Sequence, residues 1–479
     1  MRWIIGIVVV AALGLAGWLG FQRMMEPVVT DFDDEVDQFH YGSIGNDGAT
    51  GVPFAIWAVL PEVFPDLMPG DGGYADFGFL YDGRGPAPEV PIGFSRARVG
   101  VERMAINCAF CHTTSVRTAP DAEPEIVVAG TSNTYDVQAY IRFLAAVAED
   151  DRFTAANLVS AMAERGDIPW LERQLHRFLL VRMTRRELQQ LGEDYAWMEG
   201  RTEWGPGRIE PFNPVKFTML GLPVDDTIGV SDMMPVWSLD AREAIRADGA
   251  LHWDGLSTSI PEVVLSSALG DGMVAEEYSP ERLARIETFL RELPPPPSPF
   301  SPDPAAVARG AAAFAAECAE CHAETGARVL TVIPLGEVGT DPERVAMWTD
   351  EARDAYQAYA EGRDWGFAHF QNAEGYLTAP LWGIWATGPY LHNGSVPTLA
   401  DLLEPPEDRP VAFLRGPDVL DPDRGGFVAP ACDPADPPPR SEGFCLDTRE
   451  RGNGNGGHLW GTDLPDDVKA DLVAYMLTL

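Results

Sequence analysis

The sequence predicts a mainly α fold, built as two domains with long irregular loops and insertions. Three observations predict it. Apolar residues recur at helical spacing in several segments; no strand-like alternation runs long or often enough to suggest a large sheet; and Gly- and Pro-rich stretches separate the helical segments. At 479 residues and 46% hydrophobic composition, the chain can bury the cores that two domains need.

The first element is MRWIIGIVVVAALGLAGWLGFQRMM. From Trp3 to Phe21 it carries no charge, a run about long enough to cross a ~30 Å hydrocarbon layer. Residues 1–24 therefore read as a membrane anchor, with residues 3–21 in the inner membrane. The alternative is a cleaved signal, for which "ALGLAG" offers only a poor small-x-small site. Either way the rest of the chain is exported. Residues 40–100, with "HYGSIG" and "PGDGGYADFGF", read as ordered irregular packing. Helices are expected at "TYDVQAYIRFLAAVAED" and "PWLERQLHRFLLVRMTRRELQQL". The segment "SPERLARIETFLREL" opens on a Ser-Pro cap signal and places Leu283, Ile286, Phe289, Leu290 and Leu293 on one helical face. A linker from Pro294 to about Pro304 follows. Beyond it "DPAAVARGAAAFAAECAECH" reads as a helix, and "LPDDVKADLVAYMLTL" closes the chain with Leu464, Val468, Leu472, Tyr475 and Leu479 in helical register. The expected domains are residues 25–295 and 296–479.

Charge narrows the partners. Seventy-three acidic residues face 35 basic ones, a formal charge of −38. Without a basic stripe to meet phosphates, the chain is not expected to bind nucleic acid or an anionic membrane surface. A soluble body meeting cationic or neutral partners fits, and so does an acidic proteome from a salty habitat.

The six cysteines carry the chemistry. "NCAFCHT" sets Cys108 and Cys111 one helical turn apart with His112 next; "ECAECHA" repeats this at Cys318, Cys321 and His322. A zinc site would need four ligands at closed spacing, and these pairs lie 210 residues apart. A thioredoxin-like pair has no use for the following histidine. CxxCH is the pattern of covalent haem attachment: two thiols meet the vinyl groups on one edge of a porphyrin, and the adjacent imidazole turns beneath the ring to bind iron. Two such motifs, each heading a helix, predict two covalently bound haem c groups and two cytochrome c-like haem domains. This attachment happens outside the cytoplasm, which makes the body periplasmic. Cys432 and Cys445, in "ACDPADPPPRSEGFC", read as a disulfide.

Iron has a second axial position, and its occupant decides between electron transfer and substrate binding. Six histidines remain for it: His40, His176, His252, His369, His392 and His458. His458, in the glycine-rich "RGNGNGGHLWGTDLP", is the candidate sixth ligand of the second haem. His252, in "GALHWDGLSTS", is the candidate for the distal side of the first, as ligand or catalytic residue. His392 is expected to hydrogen-bond to propionates or backbone, and His176 to lie on a helix surface. Met104, Met233 and Met234 are the alternative sulfur ligands.

The segment "YLTAPLWGIWATGPYLHNGSVPTLADLL" resembles RoxA-type di-haem cytochromes, rubber-oxygenase-like relatives of the bacterial di-haem cytochrome c peroxidase and MauG superfamily. "HYGSIG", "NCAFCHT", "EWGPGRIEPFNP", "LHWDG" and "GNGNGGHLWGTDLP" extend the resemblance over most of the chain. It implies haems close enough to exchange electrons: a six-coordinate C-terminal haem with His322 and His458, and a reactive N-terminal one on His112. It makes calcium between the domains a candidate second cofactor, and Trp382 and Trp385 candidate electron carriers. Peroxidases carry a distal methionine about fourteen residues beyond a corresponding histidine; here that offset from His392 falls on Pro406, which favours bis-histidine ligation. The leading expectation is a periplasmic peroxidase-like oxidoreductase, supplied with electrons by a periplasmic donor protein or small redox protein. The alternatives are a non-catalytic electron-transfer cytochrome with two six-coordinate haems, and an oxygenase cleaving an isoprenoid double bond.

Overall fold

The structure, a computed structural model, describes residues 15, 18, 19, 26 and 28–479 apart from 167 and 373. The expected anchor at residues 3–21 lies outside the described residues except for Leu15, Trp18 and Leu19. Among the described residues, no helix is long and apolar enough to cross a membrane.

The expectation of a mainly α fold with two cytochrome c-like haem domains is corrected: the chain is 41% helix and 11% strand, a mixed α/β architecture with several small sheets. The described strands are β1 (Val52–Pro53), β2 (Phe94–Val99), β3 (Val101–Ile106), β4 (Thr113–Val116), β5 (Glu125–Val128), β6 (Arg208–Ile209), β7 (Ser231–Asp232), β8 (Val332–Pro334), β9 (Gly375–Leu377), β10 (Ala412–Arg415) and β11 (Phe444–Asp447). They form one three-stranded sheet, β1-β3-β2, and four antiparallel pairs in which β4 joins β5, β6 joins β7, β8 joins β9 and β10 joins β11. The strands run two to six residues, too short for a period of two to stand out. β4 is buried at every position, so it shows no alternation at all.

The helices follow their sequence signals. Ser279 caps Pro280–Glu292, its hydroxyl accepting from the Arg282 amide at 3.3 Å. Asp136 caps Val137–Glu149 in the same way through the Ala139 amide at 3.0 Å. The helix Pro304–Glu317 crosses the closing helix Asp466–Met476 at close range. A Cβ at Gly310 would stand 1.9 Å from the Asp471 carbonyl oxygen, so only glycine permits this approach. Arg309 grips the Asp471 carboxylate with two hydrogen bonds of 2.6 and 2.7 Å, and Phe314 packs on Tyr475 one turn away. His176, expected on a helix surface, is instead 1% exposed and opens a π-helical turn, His176–Leu180.

Three apolar clusters position the sites. The largest is aromatic: Trp57 stacks on Tyr74 at 4.0 Å, and Phe79, Phe94, Phe110 and Tyr140 surround them. It also takes in Trp348, Tyr356 and Phe370 from beyond the linker. A second cluster joins Phe314, Trp385, Tyr390 and Leu472 to Val116, Val127 and Trp237. The third is small: Ile333, Val338 and Tyr376, flanked by Trp253, Cys321 and Trp460. The expected disulfide is present, Cys432 to Cys445, with a Cα separation of 5.8 Å. It fastens the loop before β11, and β10 sends Arg415 inward to a buried ion pair with Asp232.

Candidate haem centres

The first CxxCH lies between β3 and β4. Asn107 ends the strand and caps the turn Cys108–Cys111: its side-chain oxygen accepts from the Ala109 amide at 3.0 Å, and its amide nitrogen donates to the Gly42 carbonyl at 2.9 Å. Phe110, inside the motif, sits 5.2 Å from both the Phe94 and the Tyr135 rings. Burying an aromatic of this kind contributes about 2–3 kcal/mol, so the turn is seated by its own sequence. Nδ1 of His112 donates to the Met234 carbonyl at 2.9 Å. That bond fixes the tautomer and leaves Nε2 free as a ligand.

Cys108, Cys111, His112 and His252 all line one cavity of about 210 Å³. Its wall is largely apolar, with Phe212, Val215, Met233, Val264, Ile286 and Leu290 among its residues. Burial lowers His112 to about 4 and His252 to about 4, so both imidazoles are neutral, as metal ligation requires. His252 stands at a φ of 63°, rare for a non-glycine residue, between the Phe212 and Phe370 rings, and its Nε2 is buried with no hydrogen-bond partner. Two residues on, Asp254 holds Arg344 at 3.1 Å in a fully buried pair that fixes this turn.

The second CxxCH continues the helix Pro304–Glu317 into the turn Ala319–His322. Nδ1 of His322 donates to the Ala379 carbonyl at 2.7 Å, repeating the arrangement at His112. His458 faces it: the two ring centres lie 6.3 Å apart. With imidazole–metal bonds near 2.0 Å, that gap is the right size for one metal ion held from both sides. His458 takes a φ of 49°, and its Nδ1 is buried without a partner. Glycine-rich sequence makes this possible. At Gly457, with φ 74°, a Cβ would come within 2.3 Å of the Gly339 carbonyl carbon and 2.4 Å of the Thr340 nitrogen. Arg409 secures the turn, donating to the carbonyls of Asn455, Gly457 and His458 at 2.5, 2.9 and 3.3 Å.

Both sites fit covalently held haem. All four motif cysteines are free thiols, each pair is followed by a neutral imidazole tethered through Nδ1, and each histidine on the far side keeps an unsatisfied buried ring nitrogen. Haem bound there would supply the electron chemistry; Cys108, Cys111, Cys318 and Cys321 would tether it, and His112 and His322 would offer ring nitrogens to the iron. Among the described residues no cluster of three or more His, Cys, Asp or Glu side chains could hold a further metal ion.

Apart from Met233 and Met234, the remaining sequence candidates fall elsewhere. His392 stacks on Tyr376 at 4.0 Å and donates through Nε2 to the Tyr376 hydroxyl at 3.0 Å, which in turn donates to the Asp341 carbonyl. His40 meets Asp82, and exposed His369 meets Glu262. Met233 and Met234 line the first cavity, whereas Met104 lies in β3. Trp385 belongs to the second apolar cluster, and Trp382 donates to Glu324 at 3.0 Å. Sequence reasoning missed Trp253. It lines the first cavity beside His252, donates to the Asp232 carbonyl at 2.7 Å, and packs in the third cluster with Cys321 and Trp460. It thus joins the first cavity to the apolar cluster that Cys321 flanks, a placement its position next to His252 alone could have suggested.

Residues 375–414 match a family model described as RoxA-like, cytochrome c-like. The match supports a RoxA-like c-type cytochrome with covalently bound haem c; the matched segment holds Tyr376 and His392 but neither CxxCH motif. The chain is 30% identical over 232 residues to the uncharacterized protein y4iM of Sinorhizobium fredii, covering 42% of this chain and 50% of that one. It is 42% identical over 113 residues to the uncharacterized protein y4iJ of the same organism, covering 22% and 18% respectively. The chain thus spans half the length of the first relative and less than a fifth of the second.

Proposed function

We propose that this chain is a periplasmic di-haem c-type cytochrome of peroxidase-like activity. One observation carries the reading, the unequal surroundings of the two proximal histidines. His322 meets a second imidazole at 6.3 Å, a closed arrangement suited to passing electrons, whereas His112 opens into a 210 Å³ cavity shared with His252. Electrons from a periplasmic donor protein would enter at the His322/His458 centre; Trp253 lines the first cavity and packs against the apolar cluster that Cys321 also flanks. At the first centre hydrogen peroxide takes up two electrons and two protons and leaves as two waters. His112, held through Nδ1 by the Met234 carbonyl, would offer Nε2 to the iron. His252, kept neutral by burial, accepts a proton at its free ring nitrogen and returns it. The uncharged run at residues 3–21 supports either an inner-membrane anchor or a cleaved export signal.

A specific observation favours a second reading. His252 and His458 share a left-handed backbone conformation and an unpartnered buried ring nitrogen. If His252 ligates as His458 is proposed to, both haems are six-coordinate and the protein only transfers electrons. Carbon monoxide separates the readings. Binding at one reduced haem, together with peroxide consumption under electron supply, supports the peroxidase. Carbon monoxide binding with oxygen uptake on a polyisoprenoid, and no peroxide turnover, would point to the oxygenase instead. No carbon monoxide binding at either haem eliminates both enzymatic readings.

A further inference from the structure

The wall of the first cavity carries a buried cation that no group among the described residues neutralises. Arg242, in the helix Leu239–Ile245, is 5% exposed, and its Nε is buried with no hydrogen-bond partner. Among the described residues no carboxylate or carbonyl pairs with its guanidinium, whose ends reach the cavity. The other deeply buried arginines are engaged. Arg208 donates to the Trp204 carbonyl and to Asn453, Arg344 pairs with Asp254, and Arg415 pairs with Asp232. Burial brings Arg242 down to about 10, which leaves it charged at neutral pH. An isolated buried charge costs several kcal/mol, so the folded protein has a place for an anion here.

The chain's own acids do not fill that place. Asp232, on the same cavity, is held by Arg415. Asp271 lies beside the thiols, where its charge acts on Cys108 and Cys111. Arg242 also lines a second small cavity together with Glu243, Arg246, Ala250 and Leu330, which the cysteines do not reach; Glu243 is held there by Arg291 at 2.8 Å. Arg246 is occupied, donating to the Val329 and Ala327 carbonyls at 3.1 Å. A haem tethered through its vinyl edge carries two carboxylates on the opposite edge. We propose that Arg242 is the positioning residue that binds a propionate of the haem attached at Cys108 and Cys111, and that this ion pair keeps the haem's reduction potential independent of pH near neutrality.

The inference rests on the haem reading and is tested apart from it. Mass spectrometry of the full holoprotein first counts macrocycles on wild type, R242Q and R242K. Wild type lacking one at Cys108/Cys111 overturns the haem reading and this inference with it. With both haems attached, the potential of each is titrated optically across neutral pH. In R242Q the uncompensated propionate favours the ferric state, so one potential falls. The same carboxylate now takes up a proton on reduction, so that potential climbs as pH drops. R242K keeps the charge and stays near wild type in slope. An R242Q protein with both haems, unshifted potentials and no new pH slope overturns the proposal. Should R242Q fail to accumulate, resonance Raman of wild type and R242K decides: shifted propionate bending bands support the ion pair, and identical bands refute it.

Discussion

The two CxxCH segments spell the same motif in opposite surroundings. The first is a turn between strands, seated on an aromatic core through Phe110, with thiols that burial pushes well above their ordinary range. The second is the end of a helix with half-buried cysteines, and Cys318 is raised only to about 11. What they share is the grip on the histidine: Nδ1 donates to a distant carbonyl, Met234 in one case and Ala379 in the other. What differs is the far side, a facing imidazole against a cavity. On the proposed reading the local motif would set where a macrocycle is tied, and residues more than a hundred positions away, His252 and His458, would set what it can do.

The comparison can be broken most severely at the tethers. Serine at both Cys108 and Cys111, or at both Cys318 and Cys321, should remove one macrocycle from the denatured mass and leave the other, so each site is independent. The next effect is sharper. H458A should open the closed centre, raising carbon monoxide bound by the reduced protein from one to two per chain. G457A should move His458 without touching its chemistry. The Cβ clashes with Gly339 and Thr340, and the backbone strain costs about 1–3 kcal/mol, visible as a lower Tm and a perturbed bis-histidine spectrum. The smallest effect concerns Asp271, on the first cavity, which burial raises to about 7. Its folded value exceeds the ~3.9 of an unfolded aspartate, so the fold prefers the protonated form and loses that stabilisation as pH rises through about 7. D271N should match wild type in Tm at acidic pH and exceed it at alkaline pH.

Much of the site was legible because its signals are local. CxxCH is a contiguous motif, Ser279 and Asp136 announce their helices, and the glycines around His458 announce an unusual turn. The strands were not legible. β4 is buried throughout, and β2 and β3 pair across a single residue, so neither gives a run of alternation longer than six residues. Arg242 could not be found either, since lacking a partner is a property of three-dimensional placement, and only its place beside His252 pointed to Trp253. The same limit hid the burial of His176, whose neighbours Arg173 and Arg177 suggested a wet helix face.

The disulfide between Cys432 and Cys445 has a consequence for how the molecule is made. If both CxxCH motifs take a macrocycle as proposed, one chain must finish with an oxidised Cys432–Cys445 pair and four other sulfurs still reduced. An oxidant able to join residues thirteen apart would join those three apart at least as readily. On that reading, maturation would need a reductant that guards Cys108/Cys111 and Cys318/Cys321 while leaving the Cys432–Cys445 bond before β11 intact.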